Sequence, residues 1–264
     1  MTAFFMLTDQ LDNPVQIPSK PLRIISTVPS QTELLFDLGL SEEVIGITKF
    51  CVKPEDWFRS KQRIGGTKNL NLALIDELQP NLIIANKEEN TQSDIEYLQS
   101  KYNVYVSDIF NLQDVLEMIN HVGVLCSKQS KADRIIEQIQ KGFQTFPNFK
   151  QQSVAYLIWR GPYMAAGSDT FIDFMLNQIG LINAFGSSTR YPEITIDQLV
   201  QATPNLLLLS SEPYPFKEKH IKELQNQLPN TKIVLVDGEI FSWPGSRLIH
   251  ASTYFSELYS QLNP

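Results

Sequence analysis

The stretch Arg23–Leu40, RIISTVPSQTELLFDLGL, decides the fold. Ile24 and Ile25, with Val28 after them, make a short apolar strand that runs into Pro29-Ser30. Ser30 reads as an N-cap, Glu33 as its capping-box partner three residues on, and Leu34, Leu35 and Leu38 as a helical stripe. Gly39 then stops the helix. A strand feeding a helix start sets free backbone N–H groups at the C-terminal edge of a sheet, where open α/β folds take ligands.

The second half of the chain echoes this block. Ser153–Ile158 (SVAYLI) reads as a strand and Phe171–Ile179 as a helix, closing on Ile179-Gly180-Leu181 as the first closes on Leu38-Gly39-Leu40. A second echo follows each. Leu74-Ile75-Asp76-Glu77-Leu78-Gln79-Pro80-Asn81 leads into Leu82–Ala85, and Ile196-Asp197-Gln198-Leu199 leads to Pro204-Asn205 and Leu206–Leu209. Both read as helix, Pro-Asn turn and a strand of a buried parallel sheet. Two matches in the same order predict two lobes of like construction.

The chain has 264 residues, enough for two domains of ordinary size. A hydrophobic content of 42% against 19% charged describes a globular protein. With a net charge of -7 and no basic stripe interleaved with aromatics, nucleic acid is excluded as an expected partner. Cys51 and Cys126 stand far apart without a CxxC partner, so free thiols are expected. His121, His220 and His250 are widely separated and read as helix-surface residues; no metal site is expected. No Walker loop, GxGxxG or GxSxG motif occurs, and Asp9, Asp12 and Asn13 lack the Gly and Glu of a calcium loop.

At the N-terminus, Met1–Leu7 has no basic residue, and Asp9 and Asp12 interrupt the apolar run early. As written the chain is expected in the cytoplasm; as a trimmed mature form, in the periplasm. Between the lobes Leu112–Leu125 and Ser130–Thr145 read as amphipathic helices, Pro147 ending the second. Without a Gly/Ser-rich linker, the helix itself is expected to join the lobes and to leave the cleft between them largely preformed. The expected architecture is α/β: two Rossmann-like lobes with parallel sheets, 1–126 and 151–264, joined by one long backbone helix within 127–150, with a ligand cleft between the lobes.

The order of RIISTVPSQTELLFDLGL, VIGITKFCVKP, IGGTKNLNLALIDELQPNLIIA, a helical spacer, LIWRGPYMAAGSDTFIDFML and DGEIFSWPGSR resembles the class III substrate-binding proteins of ABC transporters. Their superfamily is named for a helical backbone, and they bind cobalamin or ferric siderophores. The resemblance runs from Thr8 onward. It implies no catalysis and no resident cofactor, a bound iron chelate or corrinoid as the ligand, and a monomer. It also implies ligand contacts by Ser30, Gln31 and Phe50, by Thr67, Lys68 and Asn69, and by Asn86 and Lys87. From the second lobe it implies Trp159, Arg160, Tyr163, Met164 and Tyr191, then Trp243, Pro244, Ser246 and Arg247. Aromatic faces suit a macrocycle or aromatic chelate, and arginine forks suit carboxylate or phosphate. The plainer expectation for Trp159 and Arg160 is lobe packing beneath a snorkelling cation, and for Arg247 a pairing with Asp237 or Glu239.

Two departures from the family pattern stand out. The acidic positions that dock on the membrane permease fall at Ala73 and Asp197, so one charge is missing and the other is shorter. Failure to stimulate a permease ATPase is the expectation that follows. Thr67 and Asn86 stand where cobalamin binders carry tryptophan, which widens the expected ligand from cobalamin to chelates generally. Two other readings share the architecture: a cytosolic carrier or sensor using the same pocket, and a nucleotide-sugar transferase with Glu193 or Asp169 as its acid.

Overall fold

The computed structural model describes residues 6–18 and 20–263. Residues Met1–Phe5, on which part of the export reading rests, lie outside the described residues. The chain forms two compact units, one of residues 1–140 with 244–249 and one of 141–243 with 250–264.

The first unit is built on a five-stranded sheet. Its strands lie in the order Gln62–Arg63, Val44–Ile47, Ile24–Ser26, Leu82–Asn86 and Val104–Ser107, every neighbouring pair parallel. The two central strands are buried along their whole length, as apolar runs without alternation require when both sheet faces are covered. Ile25, Ile83, Ala85 and Val106 pack with Ile64, Ile75, Ile95 and Leu98 into one core. A short hairpin of Met6–Thr8 and Pro14–Gln16 precedes the sheet. It turns on the buried Asp9, whose carboxylate accepts from the N–H groups of Leu11, Asn13 and Val106.

The helix after Ile24–Ser26 runs Pro29–Asp37, two residues earlier than Ser30 as N-cap would allow. Proline at the first helical position has its φ preset, so Val28 becomes the cap residue and Ser30 falls inside the first turn. Glu33 pairs with a residue far along the chain. The end is as read. Gly39 has φ +75, with Leu40 N–H donating to Leu35 O and Gly39 N–H to Phe36 O, the pair of bonds of a Schellman cap.

The second unit repeats these parts on a mixed sheet. Ser153–Trp159, Leu206–Ser210 and Lys232–Val236 are parallel neighbours, and Ile182–Asn183 adds a short parallel pair. Tyr163–Ala165 folds back antiparallel on Ser153–Trp159 and pairs with Glu193–Ile194. Gly161, at φ +84, allows that reversal, so the sheet is not parallel throughout. The helix Phe171–Gln178 is capped by Thr170 and ends on Gly180 at φ +74, with Leu181 N–H to Leu176 O and Gly180 N–H to Asn177 O. The Schellman cap of the first unit recurs bond for bond.

The second echo is equally close. Helices Leu72–Leu78 and Ile196–Ala202 start on Asn71 and Thr195 side-chain caps and end on left-handed Gln79 and Thr203. After the prolines, Asn81 Oδ1 accepts from Arg23 N–H at 2.8 Å and Asn205 Oδ1 from Ser153 N–H at 3.0 Å. Each asparagine thus pins the start of the neighbouring strand. The helices Leu112–Leu125 and Gln129–Phe143 follow the first sheet. The second is 15 residues, about 22 Å long, and the chain passes from one unit to the other near its end.

Candidate functional site

In the first unit the C-terminal ends of the parallel strands carry polar residues where the core runs out. Ser26, Asn86 and Ser107 close three adjacent strands and are all buried. Gln31, in the first turn of its helix, donates its amide to Ser107 Oγ at 2.5 Å, and Asn86 Nδ2 donates to the same oxygen at 3.0 Å. Asn86 Oδ1 accepts from the N–H groups of Glu88 and Glu89, each at 3.0 Å. Asn90 Oδ1 accepts from Asn86 N–H and from the Thr27 hydroxyl, while its amide donates to Thr67 O at 3.0 Å. One buried chain of hydrogen bonds therefore joins Gln31, Asn86 and Thr67. Such a network fixes side chains that loops alone would leave mobile.

The segment 244–249 belongs to this unit and lies against the same helix start. The Cα of Gly245 faces Ser30, and a methyl group there would stand 3.2 Å from Ser30 O. Two residues on, Arg247 grips Glu33 with both arms of its guanidinium, Nε to Oε2 at 2.9 Å and Nη2 to Oε1. The pair is largely shielded, with side chains 13% and 17% exposed. The structure thus gives Arg247 a partner 214 residues distant, and Asp237 Oδ1 accepts from Glu239 N–H. Gln31 Oε1 and Ser246 Oγ are buried without a hydrogen-bond partner among the described residues. An unpartnered buried polar atom costs about 1–3 kcal/mol, which marks this helix end as a place where a further polar group can be accepted.

The remaining first-unit candidates are more open. Phe50 is 52% exposed, with Lys49 Nζ 5.1 Å from its ring centre. Lys68 Nζ donates to Glu88 O, Lys87 Nζ pairs with Asp108 at 2.5 Å, and Asn69 lies in a two-residue strand with an exposed side chain.

In the second unit Trp159 ends the strand Ser153–Trp159 and is 38% exposed, its ring meeting Tyr214 edge to face at 5.7 Å. Arg160 pairs with Glu223 at 2.7 Å, and both side chains stay accessible. The neighbouring Tyr163 and Tyr214 hydroxyls raise its pKa further. Tyr163 and Met164 occupy the antiparallel return strand. Tyr191 sits under Arg190, whose guanidinium carbon is 5.6 Å from the ring centre. Trp243 is buried at the end of the helix Gly238–Ser242 and so offers little face, while Pro244, Ser246 and Arg247 pass to the first unit.

Sequence reasoning missed Ser107, Asn90, Tyr214 and His220. A polar residue closing an apolar strand was the available signal for Ser107. His220 is buried, against the surface position expected for it, because it packs on Tyr214 and Phe216. Burial, then the neighbouring Arg160 and Lys219 charges, lower its pKa. Cys51 and Cys126 are buried free thiols, the second pushed up to about 12 by desolvation. Among the described residues no group of three His, Cys, Asp or Glu side chains is placed to hold a metal, and no helix is long and apolar enough to cross a membrane.

Ala73 and Asp197 take the same place, exposed in the first turn of their matching helices, one residue after the first helical position.

Comparison with known proteins fits this construction. The sequence pattern of the family described as periplasmic binding protein matches residues 24–234. An uncharacterized ABC transporter substrate-binding lipoprotein of Bacillus subtilis strain 168 is 24% identical, covering 95% of this chain and 84% of its own length. A vitamin B12-binding protein of Photorhabdus laumondii is 24% identical, covering 92% and 88%. The crystal structure of a periplasmic heme-binding protein of Vibrio cholerae superposes with a TM-score of 0.75 at 22% identity, covering 92% of this chain and 99% of that one. The chain belongs to the periplasmic binding protein family.

Proposed function

We propose that the protein captures a small metal chelate of the corrinoid, heme or ferric-siderophore kind and serves as the solute receptor of an ABC permease outside the cytoplasmic membrane. The family match over residues 24–234 carries this reading, because relatives of matching length are described as vitamin B12- and heme-binding. The side chains agree with it. The first unit offers a buried amide network at the strand ends and the open ring of Phe50; the second offers the open face of Trp159 with Arg160 beside it. A flat chelate with peripheral carboxylates or amides suits a ring next to a guanidinium.

Capture is noncovalent in this reading. Aromatic faces supply buried area, the guanidinium supplies anion contacts, and side chains already fixed by hydrogen bonds reduce the ordering cost of binding. Delivery to a permease would lean on Asp197, since Ala73 has no charge at the matching place of the first unit.

Titration calorimetry with cyanocobalamin, hemin and ferrichrome tests the proposal. Binding of at least one with a dissociation constant of about 10 μM or tighter is expected, roughly -7 kcal/mol. Heats indistinguishable from dilution for all three, from folded protein, would refute it.

A further inference from the structure

We propose that Tyr214, which no sequence signal singled out, is a specificity-determining residue of the second unit, presenting its hydroxyl proton to an acceptor atom on a flat ligand laid against Trp159. The inference rests on the ligand-capture reading above and adds to it a residue and the chemistry it selects. Tyr214 lies in the segment that leaves the strand Leu206–Ser210 and is half-buried. Its backbone is tied down, Tyr214 N–H donating to Ile158 O at 3.3 Å, one residue before Trp159. Its ring is held by Trp159 at 5.7 Å, Phe216 at 4.8 Å and His220 at 5.6 Å.

What sets the hydroxyl's role is the histidine beneath it. His220 is 2% exposed, and its Nδ1 accepts the backbone N–H of Lys217 at 2.9 Å. An Nδ1 that accepts carries no hydrogen, so the neutral ring holds its proton on Nε2. Nε2 lies 3.4 Å from Tyr214 Oη, at the long end of hydrogen-bond range, with its hydrogen toward that oxygen. Arg160, whose guanidinium bonds Glu223 at 2.7 Å, has no acceptor atoms. Neither the His220 ring nor Arg160 offers the tyrosine an acceptor, so its own O–H must point elsewhere. The result is a hydroxyl fixed as a donor, beside an exposed indole and a cation. A carboxylate, amide carbonyl or hydroxamate oxygen on the rim of a chelate is the matching group.

His220 acts here through Tyr214 and is a positioning residue, whereas Tyr214 touches the ligand. A site built around one hydrogen bond discriminates sharply against groups that cannot complete it, since the polar atom is then left unpaired.

The test compares wild type with Tyr214→Phe, using cyanocobalamin, hemin and ferrichrome as probes in calorimetry. The phenyl ring keeps the packing on Trp159, so the melting temperature is expected to stay within about 3 °C. Affinity for the probe that wild type binds is expected to fall about tenfold, the scale of one hydrogen bond at a buried site. Tyr97→Phe, which removes a first-unit surface hydroxyl, is expected to leave that affinity unchanged. Equal affinity of Tyr214→Phe and wild type would overturn the assignment while leaving capture intact; wild type binding none of the probes would overturn both. A ligand-free measurement stands beside these. Nitrogen-15 NMR of the histidine rings is expected to show His220 neutral with its proton on Nε2. A proton on Nδ1 would make Tyr214 the donor to His220 and would overturn the proposal.

Discussion

Arg247 and Arg160 look alike in the sequence, each a cation within four residues after a tryptophan, yet the two regions use them in opposite ways. In the first unit Arg247 is spent internally: both arms hold Glu33, and both side chains are mostly shielded from water. In the second unit Arg160 meets Glu223 at the surface, with side chains 36% and 48% exposed. A shielded bidentate pair is costly to open, because it leaves a charge without water or partner. An exposed pair exchanges partners at little cost. Arg247 therefore reads as the rivet that fastens 244–249 to the first helix, and Arg160 as the cation able to trade Glu223 for a ligand's anion.

Stability separates the two most strongly. Arg247→Met is expected to lower the unfolding free energy by about 3 kcal/mol, the low end for a broken buried pair, whereas Arg160→Met should lose less than about 1 kcal/mol. Equal losses in urea unfolding would break the contrast. Binding should show the reverse order. Arg160→Ala with Arg247→Ala is expected to weaken hemin binding at least tenfold, with Arg160→Ala alone giving most of the loss. A loss that follows Arg247 instead would return that arginine to the ligand.

The repeated helix ends sharpen the comparison. Gly39 and Gly180 share a left-handed φ, so alanine is strained at either, by about 1 kcal/mol. A methyl at 39 would meet the flexible tip of Lys131, but at 180 it would meet Asn148 Oδ1 at 2.4 Å beside the Phe149 backbone. Gly180→Ala is expected to cost roughly 1 kcal/mol more than Gly39→Ala, readable as the larger drop in unfolding midpoint. The smallest effect concerns acid. Lys101, Tyr97 and Tyr102 all donate to Asp76 and hold its carboxyl at about 2, while the matching position of the second unit is Val200. A pKa lowered on folding stabilises above the unfolded value, near pH 4, and that contribution is lost as pH falls from about 4 to 2. Asp76→Asn should therefore flatten the stability profile in that window and leave its shape at pH 5–8 unchanged; an unaltered acid limb in a melting series would contradict this.

Much of the scaffold was legible because backbone chemistry wrote it. Gly39 and Gly180 had to end helices, and Pro80-Asn81 and Pro204-Asn205 had to turn and pin a strand, so the echo read in sequence recurs as matching hydrogen bonds. Where the reading erred, a stronger local constraint or a distant partner intervened. Pro29 moved the helix start, and Glu33 found Arg247 across 214 residues, a pairing no local pattern announces. Gly161 turned Tyr163 and Met164 into a strand. His220 looked like a surface residue because its aromatic neighbours Tyr214 and Phe216 lie in the segment before its helix, Glu218–Gln225. Of the candidate site, Gln31, Thr67 and Asn86 come together in one network, but Ser107 and Asn90, which connect them, are ordinary polar residues in the sequence.

The central claim is that this chain holds a metal chelate. Native mass spectrometry with an absorption spectrum, on protein freshly purified from its own cells, tests it most directly. The account predicts a complex heavier than the 30.1 kDa chain by the mass of one chelate, with the visible bands of a corrinoid, heme or ferric complex. A colourless protein at the bare chain mass that also stays unloaded after incubation with cyanocobalamin, hemin and ferrichrome would contradict it.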